Sequence, residues 1–206
     1  MAVMSHDDNH VPVGSDGASA AAPTEPGTLS PAVPALAEAV REIERHVAGG
    51  GWDGPVRVFA LVATARALAT EPELEQQLPP EVVAFARVDP HHLTSVEQEE
   101  LPTAESLEDL LAGLSWPPTV DGAAVVVERI VLPPAAEEAM PPEPDAALEY
   151  LMNHPERQDV RLAVGVLRSG ESWCAVRTRA VDEDDAVAGG PDLVPGLVEA
   201  VGATLL

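Results

Sequence analysis

Three groups of side chains in this sequence combine residue types and spacing that chemistry can use. The densest is Asp89, His91 and His92, with Glu97, Glu99 and Glu100 just downstream. Carboxylates and imidazoles together ligate divalent metals, so a metal-dependent enzyme centre is one reading. Adjacent histidines on an extended chain point in opposite directions, so only a turn would converge them. A solvated loop is the preferred reading and a partner-contact loop the third. The second group is Glu128 and Arg129, which interrupt the apolar run over residues 123–132. Charges in such a strand are ion-paired (Glu128 with Arg177 or Arg161), exposed on a sheet face, or directed into a pocket. The third is Arg161, Arg168, Arg177 and Arg179, which gather four of the eleven arginines on one expected hairpin. They suit an anionic ligand or an acidic partner segment, or else the protein's own carboxylates, and internal pairing is favoured. Glu128, Arg129, Arg161, Arg177 and Arg179 are therefore the candidate ligand- or partner-binding residues. No residue is nominated as catalytic.

Other reactive side chains carry less. His6 and His10 flank Asp7 and Asp8, but in a stretch with nothing to hold them in place. Cys174, the single cysteine, sits beside Trp173 inside an expected strand and reads as a small buried hydrophobe. One cysteine excludes an internal disulfide and any cysteine-based zinc knuckle. No nucleophile elbow and no G-x-G-x-x-G loop occurs, and no cofactor is expected.

The chain has 206 residues, with 35 acidic side chains against 11 basic ones, a formal charge of -24. All the basic residues are arginine. Without lysine there is no Schiff-base amine and no phosphate-gripping P-loop lysine. So acidic a surface repels phosphate backbones, so no nucleic-acid partner is expected. Residues 1–31 hold only Asp7, Asp8, Asp16 and Glu25 and no arginine, so -20 of the charge belongs to the rest. The start of the chain has no positive n-region and no apolar h-region, and no apolar run approaches the ~20 residues of a membrane span. A cytoplasmic protein without membrane contact is expected.

These candidates need elements to position them. Residues 1–31, rich in Ser, Gly, Pro, Asp and Ala, read as a disordered acidic tail. Residues 32–206 read as one domain. A helix to Ala48 carries Leu36, Val40, Ile43 and Val47 at helical spacing, with Glu38, Arg41, Glu42, Glu44 and Arg45 assigned to its outer side. Gly49-Gly50-Gly51 stops it, and Trp52 is expected to seal one end of the core. Residues 56–62 read as a strand, a helix begins near Thr64, and residues 82–88 read as another strand. Residues 94–100 read as a polar connector, followed by a helix from Thr103 or Ala104 through Leu114. Residues 123–132 form the central strand, and a helix follows between Asp145 and Asn153. Residues 159–168 and 171–180 alternate as a β-hairpin closed by Ser169-Gly170. Their register, and hence the buried face, stays open. A terminal helix with Asp192 as N-cap and Pro195 in its first turn repeats Leu193, Leu197, Val201 and Leu205. The fold class is α+β: a mostly antiparallel sheet of four or five strands covered by helices, with a C-terminal β-hairpin and terminal helix.

The runs TSVEQEELP (residues 94–102), WPPTVDGAAVVVERIVLPP (116–134), DVRLAVGVLRSG (159–170) and GGPDLVPGLVEAVGATL (189–205) resemble a conserved, uncharacterised protein family of actinobacteria. The resemblance covers residues 32–206 and implies a soluble cytoplasmic protein of a high-GC organism, which suits the missing lysine. It carries over no activity, cofactor or site residue. The leading expectation is a non-enzymatic protein-binding or adaptor protein, with a protein partner or a homodimer. The alternative is a small-molecule or anion binder using Glu128, Arg129 and the hairpin arginines; a metal-dependent enzyme around Asp89, His91 and His92 comes third.

Overall fold

A computed structural model describes residues 30–206. The expected tail lies outside them except for Ser30 and Pro31, as do His6, Asp7, Asp8 and His10. In chain order the elements are α1 (Ala32–Ala48), β1 (Arg57–Ala63), α2 (Thr64–Thr70), α3 (Pro80–Val88), β2 (Leu93–Glu97), α4 (Leu107–Ala112), β3 (Gly122–Val131), α5 (Pro134–Glu138), α6 (Pro144–Asn153), β4 (Gln158–Leu167), β5 (Ser172–Thr178), β6 (Ala188–Gly190) and α7 (Pro195–Ala203). The strands form one sheet in the order β2-β1-β3-β4-β5-β6, every neighbouring pair antiparallel. The α+β class stands, with six strands rather than four or five.

Strand alternation divides the apolar residues between two covered faces. On one, α1 lays Leu36, Val40, Ile43 and Val47 against Phe59, Leu61, Ala124, Val126, Ala163 and Ala175. On the other, Leu110 and Leu111 of α4 and Val201 of α7 meet Val58, Val125, Val164 and Cys174. Over Gly122–Val127 of β3 and the facing part of β4 both faces are buried, which explains the near-continuous valines of β3. Gly165 of β4 lets α1 come close: a Cβ there would lie 2.5 Å from Val40 Cγ2 and 3.1 Å from Leu36 Cδ1.

Register settles the hairpin face. Val160, Leu162, Val164 and Val166 stand opposite Thr178, Val176, Cys174 and Ser172, all toward α4 and α7. Arg161 stands opposite Arg177, toward α1. The turn has three residues, not two: Gly170 donates to the Leu167 carbonyl, Leu167 donates to that of Glu171, and Gly170 takes φ +100°. That is a type I turn closed by a left-handed glycine.

Several expectations needed correction. Residues 82–88 are helical, not a strand, because Pro80 presets the first helical φ and Val83 and Ala86 bury at i,i+3 spacing. The expected connector contains β2, whose polarity is that of an edge strand with Ser95 and Val96 exposed. Helix α4 starts at Leu107, because Ser106 accepts from the Asp109 N–H at 3.0 Å and caps it there. Helix α7 starts at Pro195, not from a cap at Asp192. Among the described residues, no helix is long and apolar enough to cross a membrane.

Candidate functional site

Glu128 of β3, Arg161 of β4 and Arg177 of β5 stand in one row across the sheet, side by side under α1. Two guanidinium groups on neighbouring strands repel, so the row requires a carboxylate from outside. Glu44 of α1 supplies it. Its two oxygens accept from Arg177 Nε and Nη2, each at 2.7 Å, and Oε1 lies 3.7 Å from Arg161 Nη1. Arg161, Glu44 and Arg177 are 0%, 2% and 3% exposed. The assignment of Glu44 to the outer side of the helix was wrong: Val40, Glu44 and Val47 share the buried stripe.

The loop after α1 closes over this row. Arg161 donates from Nη2 to Glu128 Oε1 at 2.8 Å and to the Gly51 carbonyl. Trp52 lies over Arg161 at 4.4 Å and over Arg179 at 5.4 Å, and its indole N–H donates to Asp182 at 2.9 Å. Trp52 therefore covers the ion cluster rather than capping the apolar core. Asp53, at φ +64°, donates its N–H to Glu128 Oε2 at 2.7 Å and takes Arg179 in a bidentate pair at 2.7 and 2.8 Å. Arg177 reaches further to Asp184 at 2.7 Å and Asp182 at 3.2 Å. The bonds from Glu44, then Asp184, raise the Arg177 pKa above its ordinary value against its burial. The Trp52 N–H, followed by Arg177, holds Asp182 below the usual carboxylate range, and Arg179 does the same to Asp53. Arg161, Arg177 and Arg179 thus meet Glu44, Glu128, Asp53, Asp182 and Asp184, and Arg45 joins them 3.7 Å from Asp184: four cations among five anions.

The remaining candidates do not join this group. Arg129 alternates to the opposite face of β3. Arg168 sits in the hairpin turn, donating to the carbonyls of Val120 at 2.9 Å, Trp116 at 3.0 Å and Leu205. Cys174 is fully buried. Asp89 accepts from the His91 N–H at 2.8 Å, while His92 Nδ1 meets Thr64 Oγ1 at 2.8 Å and its ring stacks on Phe85. Among the described residues, no three His, Cys, Asp or Glu side chains converge as metal ligands.

On the face away from α1, an apolar cleft of about 230 Å³ lies between α4 and α7 over β3 and β4. Leu107, Leu111, Val127, Leu162, Val194 and Leu197 form its walls, Gly196 its lip, and Arg129 and Glu108 its charged rim. A Cβ on Gly196 would meet nothing within 4 Å. Among the described residues, Arg129 is the one arginine with neither a carboxylate within 4.0 Å nor a set of carbonyls around it. Its one hydrogen bond runs to the Glu128 carbonyl at 3.4 Å. Sequence reasoning singled out Arg129 but not the cleft, which is assembled from α4, β3, β4 and α7, four segments far apart in the chain.

A family model described as PPA1309-like protein matches residues 36–206, and the chain belongs to that family. No curated protein and no solved structure matches it.

Proposed function

We propose that this member of the PPA1309-like family is a non-enzymatic, cytoplasmic protein-binding protein that seats aliphatic side chains of a partner between α4 and α7. The observation that carries the reading is the cleft itself, with Arg129 uncommitted at its rim. At about 230 Å³ it is smaller than the ~300–1,000 Å³ of typical small-molecule sites and suits a few inserted side chains better. Arg129 and Glu108 give the rim one charge of each sign, for register rather than attraction. The field of the -20 body steers a basic partner toward it. The anion-binding alternative retains little, because Arg161, Arg177 and Arg179 are already outnumbered by carboxylates. An actinobacterial source, which the lysine-free composition suggests, belongs to the same proposal.

The test is a plug. Gly196→Phe projects a ring into the cleft from a position with open space around it. The tagged variant purified from its native cytosol should keep its melting temperature and lose a partner that the wild type retains at low salt. Arg129→Glu should weaken the same partner. Undiminished recovery with Gly196→Phe, or a bound metabolite in native mass spectra in place of a protein, overturns the reading.

A further inference from the structure

We infer that the chain pairs with a second copy of itself along β2, joining two six-stranded sheets into one of twelve. The inference concerns the opposite margin of the sheet from β6 and does not rest on the cleft. Among the described residues, β2 has one neighbour, β1. Gln98 donates to the Val58 carbonyl at 2.8 Å and Thr64 to the His92 carbonyl at 3.0 Å. The even-numbered residues from His92 to Gln98 therefore turn their peptide groups toward β1, and those of Leu93, Ser95 and Glu97 point outward. Among the described residues, nothing hydrogen-bonds to these outward groups.

The outward set is symmetric about Ser95. Antiparallel pairing on a two-fold axis through Ser95 matches Ser95 with Ser95 of the copy, and Leu93 with Glu97 in both directions. Every free donor then meets a free acceptor. The same register brings the His91–His92 flank of one chain beside the Gln98–Glu99–Glu100 flank of the other, so imidazole donors approach carboxylates instead of carboxylates approaching each other. That complementarity selects a second copy over an unrelated strand. Val96, 48% exposed, gains the Thr94 side chain of the copy as a neighbour. The strand has neither a lysine nor a proline, the usual devices that keep edges apart. What opposes association is the charge of two -24 chains, which salt screens.

Sedimentation equilibrium of the full chain should give a mass rising with concentration toward twice 21.5 kDa, and more steeply at about 0.5 M salt than at low salt. Ser95→Pro removes an outward N–H and no bond to β1, and should hold the protein at the single-chain mass. Ser95→Cys places two thiols across the axis. With Cys174 fully buried, oxidation by copper phenanthroline should convert this variant to a covalent dimer at least tenfold faster than Thr94→Cys. A wild type that stays monomeric across concentration and salt overturns the inference. So does Ser95→Cys reacting no faster than Thr94→Cys, or a dimer that survives a folded Ser95→Pro.

Discussion

Glu44 is the carboxylate on which the α1 face of the sheet depends. It sits between two guanidinium groups at 2% exposure, and among the described residues no other carboxylate lies within 4.0 Å of both. A buried pair adds little over an apolar replacement, but removing Glu44 leaves two buried guanidinium groups with only the more exposed Glu128, Asp182 and Asp184 as counter-charges. Glu44→Ala is therefore expected to lower stability by about 3–5 kcal/mol, read as a fall in the urea midpoint. A drop below about 1 kcal/mol would mean that Glu128, Asp182 and Asp184 neutralise the two guanidinium groups without it. The residue was within reach of sequence reading, since Val40, Glu44 and Val47 follow the helical stripe. Its charge sent it to the outside because the arginines that neutralise it lie 117 and 133 positions away. Sequence reading did name Glu128 as a partner for Arg161 or Arg177, and it pairs with Arg161 at 2.8 Å; that Glu44 meets both depended on register.

At the scale of elements, helices with strong apolar periodicity were read correctly, and short ambiguous segments were not. Residues 82–88 have the β-branched content of a strand, yet the preceding prolines and i,i+3 burial make them α3. β2 was missed because half of an edge strand faces water and its composition resembles a loop. The close seating of α1 depends on Gly165, which no periodicity marks. Gly165→Ala drives a Cβ to 2.5 Å from Val40 Cγ2, on a stiff β-branched side chain held in a helix. A loss of about 1–3 kcal/mol is expected, with α1 amides exchanging faster by hydrogen exchange than those of α7. Equal acceleration in both helices would mean that α1 does not respond as a separate layer.

For the whole molecule, charge works in two directions as pH falls. Protonation relieves self-repulsion as the net charge approaches zero near the isoelectric point of about 4.3. Asp53, Glu97, Glu171 and Asp182, however, are held below their ordinary values in the folded chain, by Arg179, by Arg57, by Ser169 with Ser30, and by Trp52 with Arg177. A depressed folded pKa contributes stability that is present above the unfolded value of about 4 and lost as pH falls through the folded one. The melting temperature should accordingly hold or rise from pH 7 to about pH 5, then fall below about pH 4. A melting temperature that climbs steadily to pH 3 would show that repulsion outweighs the ion pairs. The clasp between Glu44 and Arg177 spans 133 positions, and this separation sets a timetable for the chain as it is made. At about 5–20 residues per second, α1 leaves the ribosome roughly 7–27 s before the arginine that neutralises its carboxylate. Through that interval β1, β2 and β3 are made and offer α1 part of its face, but Glu44 and the rest of the stripe wait for β4 and β5, which bring Ala163, Ala175 and both guanidinium groups.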